Sequence, residues 1–175
     1  MDLGYTLLIL LIPILLFLVL GFNFKRLKEP VSGIIGTVGL GITAFISYYT
    51  AYQYFFGGME GAKIDGVYQK VYAMNTVWIQ FSDSLHIDMG ILIDPISAMM
   101  LIVVPTISLM VHLYSVGYMH GESGFTRFFA YLGLFTFSML GLVLATNLFM
   151  IYIFWEMVGV SSYLLIGYYY NKPSA

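Results

Sequence analysis

The sequence contains no cysteine. Disulfide bonds, cysteine-ligated iron–sulfur clusters and structural cysteine zinc sites are therefore excluded for this chain. There are three histidines, and a single one of them falls within a long apolar segment. A haem in the membrane needs axial ligands at matching depth, so none is expected here. The residues predict that this chain itself carries no cofactor and no metal.

Charge is also scarce. Charged residues make up 9% of the 175 residues and hydrophobic residues 60%, whereas soluble domains carry about 25% charged residues. Together with a mean hydropathy of +0.88, this predicts a chain embedded in the lipid bilayer. A formal net charge of −2, with no basic cluster that has aromatic residues between its charges, predicts no nucleic-acid partner.

Five apolar segments are long enough to cross a bilayer core of ~30 Å, which needs ~20 helical residues. They are residues 3–24, 31–56, 95–116, 128–144 and 148–170. The last two form one continuous run that is too long for a single span, so the chain must turn back near Thr146 or Asn147, and one of these should cap the fifth helix. The first segment is predicted to be a span rather than a signal peptide, because Asp2 is its only early charge. The fold class is an all-α transmembrane helix bundle in a single membrane domain, residues 1–175.

Basic residues predict how this bundle is oriented. One side of a five-span bundle would carry five of the seven basic residues, Lys25, Arg26, Lys28, Arg127 and Lys172. The other side would carry Lys63 and Lys70. Because lysine and arginine concentrate in cytoplasmic loops, we expect the N-terminus outside and the C-terminus in the cytoplasm.

The long loop between the second and third spans has the pattern of a β-hairpin. Residues 76–81 are rich in β-branched and aromatic side chains, and apolar residues then alternate with His86, Asp88 and Gly90. The intervening Ser82-Asp83-Ser84 is typical of a turn, so we predict a small outer-surface hairpin around residues 76–91. His86 and Asp88 would share its polar side, but two ligands at this spacing are a weak indication of a metal site.

The third span carries clear local signals. Asp94 followed by Pro95 predicts an N-cap and a proline at the first helical position, where no amide donor is missed. Pro105 lies deeper and leaves the carbonyl of Leu101 without its helical donor, so a kink or a neighbouring polar group must compensate.

Small residues recur along the second span. Gly33, Thr37 and Gly41 stand four residues apart, and Ser32 and Gly36 form a similar pair. Small side chains at this spacing allow helix backbones to approach closely. We predict that this face packs against neighbouring helices.

Glu156 is the strongest candidate for a functional residue. It lies about nine residues into the fifth span, ~14 Å along a helix and hence near the bilayer midplane. A carboxylate there costs at least ~2.5–3.5 kcal/mol, and acids in this position are usually functional. It must stay protonated or pair with a cation, and both states suit proton handling; the alternative is a polar contact between helices. No base in this chain can reach it, so a cationic partner would come from elsewhere. Gly159 shares its side of the helix, and Ser161 points nearly the opposite way.

Two further residues are candidates at the predicted cytoplasmic side. His112 lies ~27 Å along the third span. It is predicted either to relay protons inward from water or to be an interfacial side chain satisfied by headgroups or a neighbouring hydroxyl. Arg127 should mark the start of the fourth span at the membrane edge.

Four blocks of sequence indicate a family. They are LIDPISAMM (92–100), VHLYSVGYM (111–119), RFFAYL (127–132) and NLFMIYIFWEMVGVSSYLLIGYYY (147–170). Together they resemble the antiporter-like L subunit (chain 5) of NADH:quinone oxidoreductase, respiratory complex I. The resemblance covers nearly all of residues 92–170, whereas residues 1–91 match only in pattern.

This resemblance implies a role for Glu156. In the family, the glutamate at this position belongs to a proton channel and pairs with a lysine two helices later. NADH oxidation and quinone reduction take place on partner subunits, so NADH, FMN, iron–sulfur clusters and quinone are expected there and no redox chemistry is expected on this chain. The expected partners are other membrane subunits of complex I, especially neighbouring antiporter-like subunits, in an energy-coupling membrane such as the bacterial inner membrane. Family chains are several times longer, so this sequence is expected to be an N-terminal fragment.

Three alternatives stay open at this stage. The large subunit of an Mrp-type sodium/proton antiporter shares the same blocks, and a membrane-bound hydrogenase is a similar option. A helical scaffold without a transport role belongs to a different class of function, and it predicts that Glu156→Gln leaves proton transport intact.

Overall fold

The computed structural model describes residues 3–82 and 86–170. Its five long helices are α1 (Leu7–Phe22), α2 (Glu29–Phe55), α3 (Pro95–Tyr118), α4 (Phe125–Val143) and α5 (Leu148–Ile166). Short 3₁₀ turns precede α1 at Leu3–Thr6 and follow α5 at Gly167–Tyr169. All five helices are long and apolar enough to cross a membrane. The predicted transmembrane bundle is confirmed, and with the flanking 3₁₀ turns included every span boundary lies within three residues of its predicted place. Asp2 and Lys172 lie outside the described residues.

Helix α4 occupies the middle of the bundle. It packs against α1, α2, α3 and α5, and more than half of its span is buried. Helix α5 lies at the edge and packs mainly on α4, with only 17% of its span buried within the described part of the chain. Most of the surface of α5 is therefore available to lipid or to another helix.

Glycines let the neighbours of α2 come close. A Cβ on Gly36 would lie 2.9 Å from the ring of Phe129 in α4, and one on Gly33 would lie 3.2 Å from another α4 ring. Gly39 meets a leucine of α1, whereas Gly41 has open space around it. The prediction of close packing is thus right for Gly33 and Gly36 and wrong for Gly41. The small residues that pack are three apart, because α2 turns one face to α3 and α4 and another to α1.

The loop between α2 and α3 forms two small antiparallel sheets. Strands β3 (Val71–Gln80) and β4 (His86–Ile93) pair as the predicted hairpin. The predicted turn at Asp83 and Ser84 lies outside the described residues. A second pair, β1 (Lys63–Ile64) with β2 (Val67–Tyr68), was not predicted. Its turn is Asp65-Gly66, both with positive φ, and an Asp-Gly dipeptide is the sequence signal that would have revealed it.

Helix α3 begins as predicted. The carboxylate of Asp94 accepts a hydrogen bond from the Ser97 amide, and the Ser97 hydroxyl accepts one from the Asp94 amide, each at 2.7 Å. This capping box satisfies two donors at the helix start, and Pro95 occupies the first helical position.

The helix continues through Pro105 as far as Tyr118. Beside the proline, the Thr106 hydroxyl bonds to the carbonyl of Ile102 and contacts the Tyr48 hydroxyl of α2 at 2.7 Å. Thr106 belongs to α3 and bonds to the carbonyl of Ile102, not to that of Leu101, so compensation of the Leu101 carbonyl stays a prediction.

Asn147 connects α5 to the β3–β4 sheet. Its side-chain oxygen accepts a hydrogen bond from the Met150 amide at 2.9 Å, which confirms the predicted cap. Its side-chain nitrogen donates to the carbonyl of Asp88 in β4 at 2.6 Å. A second bond, from the Leu92 amide to the carbonyl of Leu144, holds the same strand against the end of α4.

Replacing Asn147 should separate these two roles. Asn147→Ala loses the cap and the bond to the sheet, so we expect the free energy of unfolding to fall by about 1–2 kcal/mol. Asn147→Asp keeps an acceptor for the cap but loses the donor, and an intermediate value is expected. Thermal unfolding of the full-length protein in detergent measures both. An Asn147→Ala protein as stable as the wild type would contradict this role.

Candidate functional site

The inner face of α5 fixes the direction of Glu156. Met150, Phe154 and Ser161 are the buried residues of this helix. The ring of Phe154 packs edge-on against Phe137 of α4, with centroids 5.6 Å apart, and Gly141 provides the space for it. Because this stripe faces α4, the opposite side of α5 faces away from the bundle.

Glu156 lies on that opposite side, near the middle of the 19-residue helix and ~12 Å from its start. Its side chain is exposed, and the exposed Tyr152, Gly159 and Tyr163 surround it. A Cβ on Gly159 would meet nothing within 4 Å. Glu156 and Ser161 therefore point to opposite sides, as predicted, and the face around the acid is open.

Nothing in residues 3–82 and 86–170 hydrogen-bonds to Glu156 or forms an ion pair with it. An unpaired carboxylate at mid-membrane depth is costly, and the usual solutions are protonation or a paired cation. A counter-charge from outside the described residues stays a prediction. The open face around Glu156 leaves room for one.

His112 lies inside the bundle. Its side chain is 1% exposed, and its ring packs edge-on against Phe129 of α4. A Cβ atom added to Gly36 of α2 would lie 3.5 Å from the ring. The interpretation that lipid headgroups satisfy this side chain is therefore wrong. The cause is tertiary: glycines in α2 create a space at this depth that spacing along α3 does not reveal.

The hydrogen bonding of His112 sets its tautomer. Nδ1 lies 2.8 Å from the carbonyl of Ser108, and a carbonyl can only accept, so Nδ1 carries the hydrogen. In the neutral ring Nε2 is then an acceptor. This nitrogen is buried and has no partner among the described residues. His112 thus has one free site that can take up a proton.

Hydroxyl groups line the helix contacts near His112. The hydroxyls of Ser108 and Thr136 hydrogen-bond to each other, and Thr126 donates to Ser32 at 2.9 Å. Ser115 is also buried on the His112 side of α3. This cluster of hydroxyl groups was not predicted from the sequence. The available signal was helical spacing, since Ser108, His112 and Ser115 recur at intervals of four and three residues.

The structure does not bring Glu156 and His112 into contact. His112 lies where α2, α3 and α4 meet, and Glu156 lies on the outer side of α5. Helix α4 contacts both α3 and α5. Any proton path between these two residues must pass α4 or use groups outside the described residues.

Arg127 lies at the start of α4, as predicted. Its guanidinium is 5.5 Å from the ring centre of Tyr168.

On the β3–β4 hairpin, the Nε2 atom of His86 is 3.5 Å from the carboxylate of Asp88. This carboxylate also accepts a hydrogen bond from Asn75 at 2.8 Å. Within the described ranges, no three histidine or acidic side chains come together to hold a metal ion.

The amino-acid sequence of the fifth helix matches a class of membrane transport subunits. Residues 145–175, which include Glu156, match the family described as "NADH:quinone oxidoreductase/Mrp antiporter, TM". The α5 block thus has the sequence of the antiporter-like membrane subunits. Residues 78–129 match a more specific family, "NADH-Ubiquinone oxidoreductase (complex I), chain 5 N-terminus".

Individual relatives agree with that narrower match. The chain is 38% identical over 175 residues to NADH-quinone oxidoreductase subunit L of Neisseria meningitidis, covering 99% of this chain and 24% of the relative. It is 40% identical over 174 residues to the chloroplastic NAD(P)H-quinone oxidoreductase subunit 5 of Chara vulgaris, covering 94% and 24%. The counterpart in Physcomitrium patens is 53% identical over 98 residues, covering 56% and 14%.

The chain therefore resembles the N-terminal portion of the antiporter-like L subunit, or chain 5, of NADH:quinone oxidoreductase. It spans about a quarter of the length of the curated relatives that match almost all of it. The similarity also extends further than predicted. The sequence blocks placed it in residues 92–170, whereas these two relatives align with 94% and 99% of the chain.

Proposed function

We propose that this chain contributes part of a proton channel to a membrane subunit of NADH:quinone oxidoreductase. The observation that carries the proposal is the position of Glu156, at mid-span on the open face of α5 and inside the block that matches the antiporter-like family. An ionisable side chain at this depth suits proton transfer better than packing, because packing alone does not need a titratable group.

The proposed mechanism is electrostatic. In the proposed cycle, the carboxylate of Glu156 pairs with a cation in one state and carries a proton in the other. A cycle between these states takes up a proton from one side and releases it to the other. The cation would be a lysine on a helix that packs on the open face of α5.

Other subunits would supply the energy. NADH, FMN, iron–sulfur clusters and quinone would belong to partner subunits, and other membrane subunits, including antiporter-like ones, would contact this chain. The Chara and Neisseria relatives are named as subunits of such an oxidoreductase, which supports this assignment. This chain would carry protons rather than electrons.

We also propose an orientation for this multi-pass membrane protein. Lys25, Arg26 and Lys28 lie in the α1–α2 connection, and Arg127 lies at the start of α4. These places are on one membrane side. By the positive-inside rule this is the cytoplasmic side or its equivalent. The outer sheets and the N-terminus then face the opposite compartment.

The experiment that tests the function measures proton pumping by the assembled enzyme with Glu156→Gln in the full-length protein. Pumping equal to that of the wild type would reject the proposal and favour a scaffold.

An Mrp-type sodium/proton antiporter subunit is the second candidate, because the family that matches residues 145–175 carries both names. The match of residues 78–129 to chain 5 of complex I favours the oxidoreductase. The two candidates predict different ion movements. Proton movement that depends on NADH oxidation would indicate the oxidoreductase, and exchange of protons for sodium would indicate the antiporter.

His112 is proposed as a relay in the same protein. Its free Nε2 and the nearby hydroxyls could pass a proton through the α2–α3–α4 contact. Gln retains polarity but cannot carry the proton, so we expect His112→Gln to lower pumping by about threefold or more. His120→Gln, in the loop before α4, is the matched control and should leave pumping unchanged. If both variants pump like the wild type, His112 has only a structural role.

A further inference from the structure

An apolar groove runs between α1 and α4 at the membrane side that carries the basic residues. Its walls are Phe17, Leu18, Gly21 and Phe22 of α1 with Ala130 and Tyr131 of α4. Its volume is about 280 Å³. Apart from Arg127, the groove is lined by apolar residues and one tyrosine, a surface that suits an acyl chain.

Arg127 lines this groove and also the neighbouring cavity between α4 and the end of α5, where Tyr168 lies. Its Nε–H is buried and has no hydrogen-bond acceptor among the described residues, and its guanidinium forms no ion pair with them. The contact with the ring of Tyr168 does not satisfy these donors. Because the Nε–H is buried, a phosphate would bind the two terminal nitrogens of the guanidinium, which can donate to its paired oxygens.

Further positive charge lies beside the groove. The ammonium group of Lys25 is 5.7 Å from the ring centre of Phe24, which is itself a wall residue, and Arg26 and Lys28 follow in the same connection. The nearby Glu29 accepts a hydrogen bond from the Gly121 amide. Glu122 also lies near Tyr168. Among the described residues, the four basic residues Lys25, Arg26, Lys28 and Arg127 thus face these two acids on this membrane side, which leaves a net positive charge.

The guanidinium and the groove lie at the depths where a lipid has its phosphate and its acyl chains. Arg127 lies in the first turn of α4, and Gly21 and Phe22 end α1, so the guanidinium is at the edge of the hydrocarbon core and the groove extends into it. We propose that this groove binds an anionic phospholipid, with the phosphate on Arg127 and the start of one acyl chain between α1 and α4. The composition of the bilayer would then affect how α1 and α4 pack.

Photo-crosslinking of the full-length protein in its complex tests the site. The probe is a phosphatidylglycerol with a diazirine on one acyl chain, diluted into phosphatidylcholine vesicles. We expect crosslinks to map to residues of α1 and α4 that line the groove. A phosphatidylcholine with the same diazirine chain should give few. Equal labelling by the two lipids, or none in the groove, would overturn the proposal; the latter result would mean that protein covers it.

Variants separate the headgroup contact from the acyl-chain contact. Arg127→Gln should reduce labelling by about fivefold, whereas Arg127→Lys should retain most of it and Lys63→Gln, on the opposite side, should retain all of it. Gly21→Leu should also reduce labelling, because a Cβ there meets nothing within 4 Å and the larger side chain fills the groove. Gly41 is similarly open, so Gly41→Leu is its control. Unchanged labelling in Arg127→Gln and Gly21→Leu would refute the site, as would complete competition by soluble glycerol phosphate.

Discussion

Replacing Glu156 by glutamine is expected to reduce proton pumping by about tenfold or more while the enzyme stays assembled. Glutamine has nearly the same shape as glutamate but cannot bind and release a proton. The side chain is exposed on the open face of α5, so the substitution disturbs none of the packing between α5 and α4. The loss would be a loss of proton transfer rather than of folding. NADH-driven acidification in inverted membrane vesicles measures it.

A matched control uses an acid outside the membrane. Asp65 is exposed in the outer loop and has φ 48, a conformation that asparagine tolerates well. Asp65→Asn removes the same charge and should pump normally. If Glu156→Gln pumps as well as Asp65→Asn does, the acid is not part of a proton path.

Gly141→Leu should separate α5 from α4. A Cβ at this position would overlap the ring of Phe154, which is buried and held edge-on by Phe137. Leucine gains about 0.8 kcal/mol in helix propensity over glycine, but overpacking costs about 1–3 kcal/mol or more. The steric cost is larger, so we expect lower thermal stability and less assembled protein. Thermal unfolding in detergent and the yield of complex report both.

Two comparisons make this result specific. Gly41→Leu places the same side chain in open space on α2, so helix propensity should dominate and stability should hold. Combining Gly141→Leu with Phe154→Ala removes the ring that is in the way, and the effects of the two changes should then not be additive. Simple additivity would show that the overlap at Phe154 is not the cause.

Sequence alone predicted the helices well because bilayer thickness fixes their length. The caps at Asp94 and Asn147 were also readable, since they depend on side chains within one turn of the helix start. The direction of Glu156 followed from helical spacing once the fifth span was placed. Each of these features depends on short-range geometry.

Features that depend on contacts between helices could not be predicted from the sequence. The burial of His112 requires Gly36 of α2 and Phe129 of α4, which are far away in sequence. The groove below Arg127 exists because α1 and α4 are adjacent, although α2 and α3 separate them along the chain. Spacing on one helix cannot predict which helix lies opposite. That information comes from how complementary surfaces pack.

The bonds at Asn147 have a mechanical consequence. Asn147 donates one hydrogen bond to β4 and accepts one from the first turn of α5, and these bonds fasten the β3–β4 sheet to the start of the helix that holds Glu156. Because an α-helix is stiff along its axis, the distance from that sheet to the carboxyl is fixed at ~12 Å of helical rise. The sheet and the acid are therefore linked along the axis of α5, while the apolar length of the helix sets its depth in the bilayer. A force applied to the hairpin from outside would raise, lower or tilt Glu156 with it.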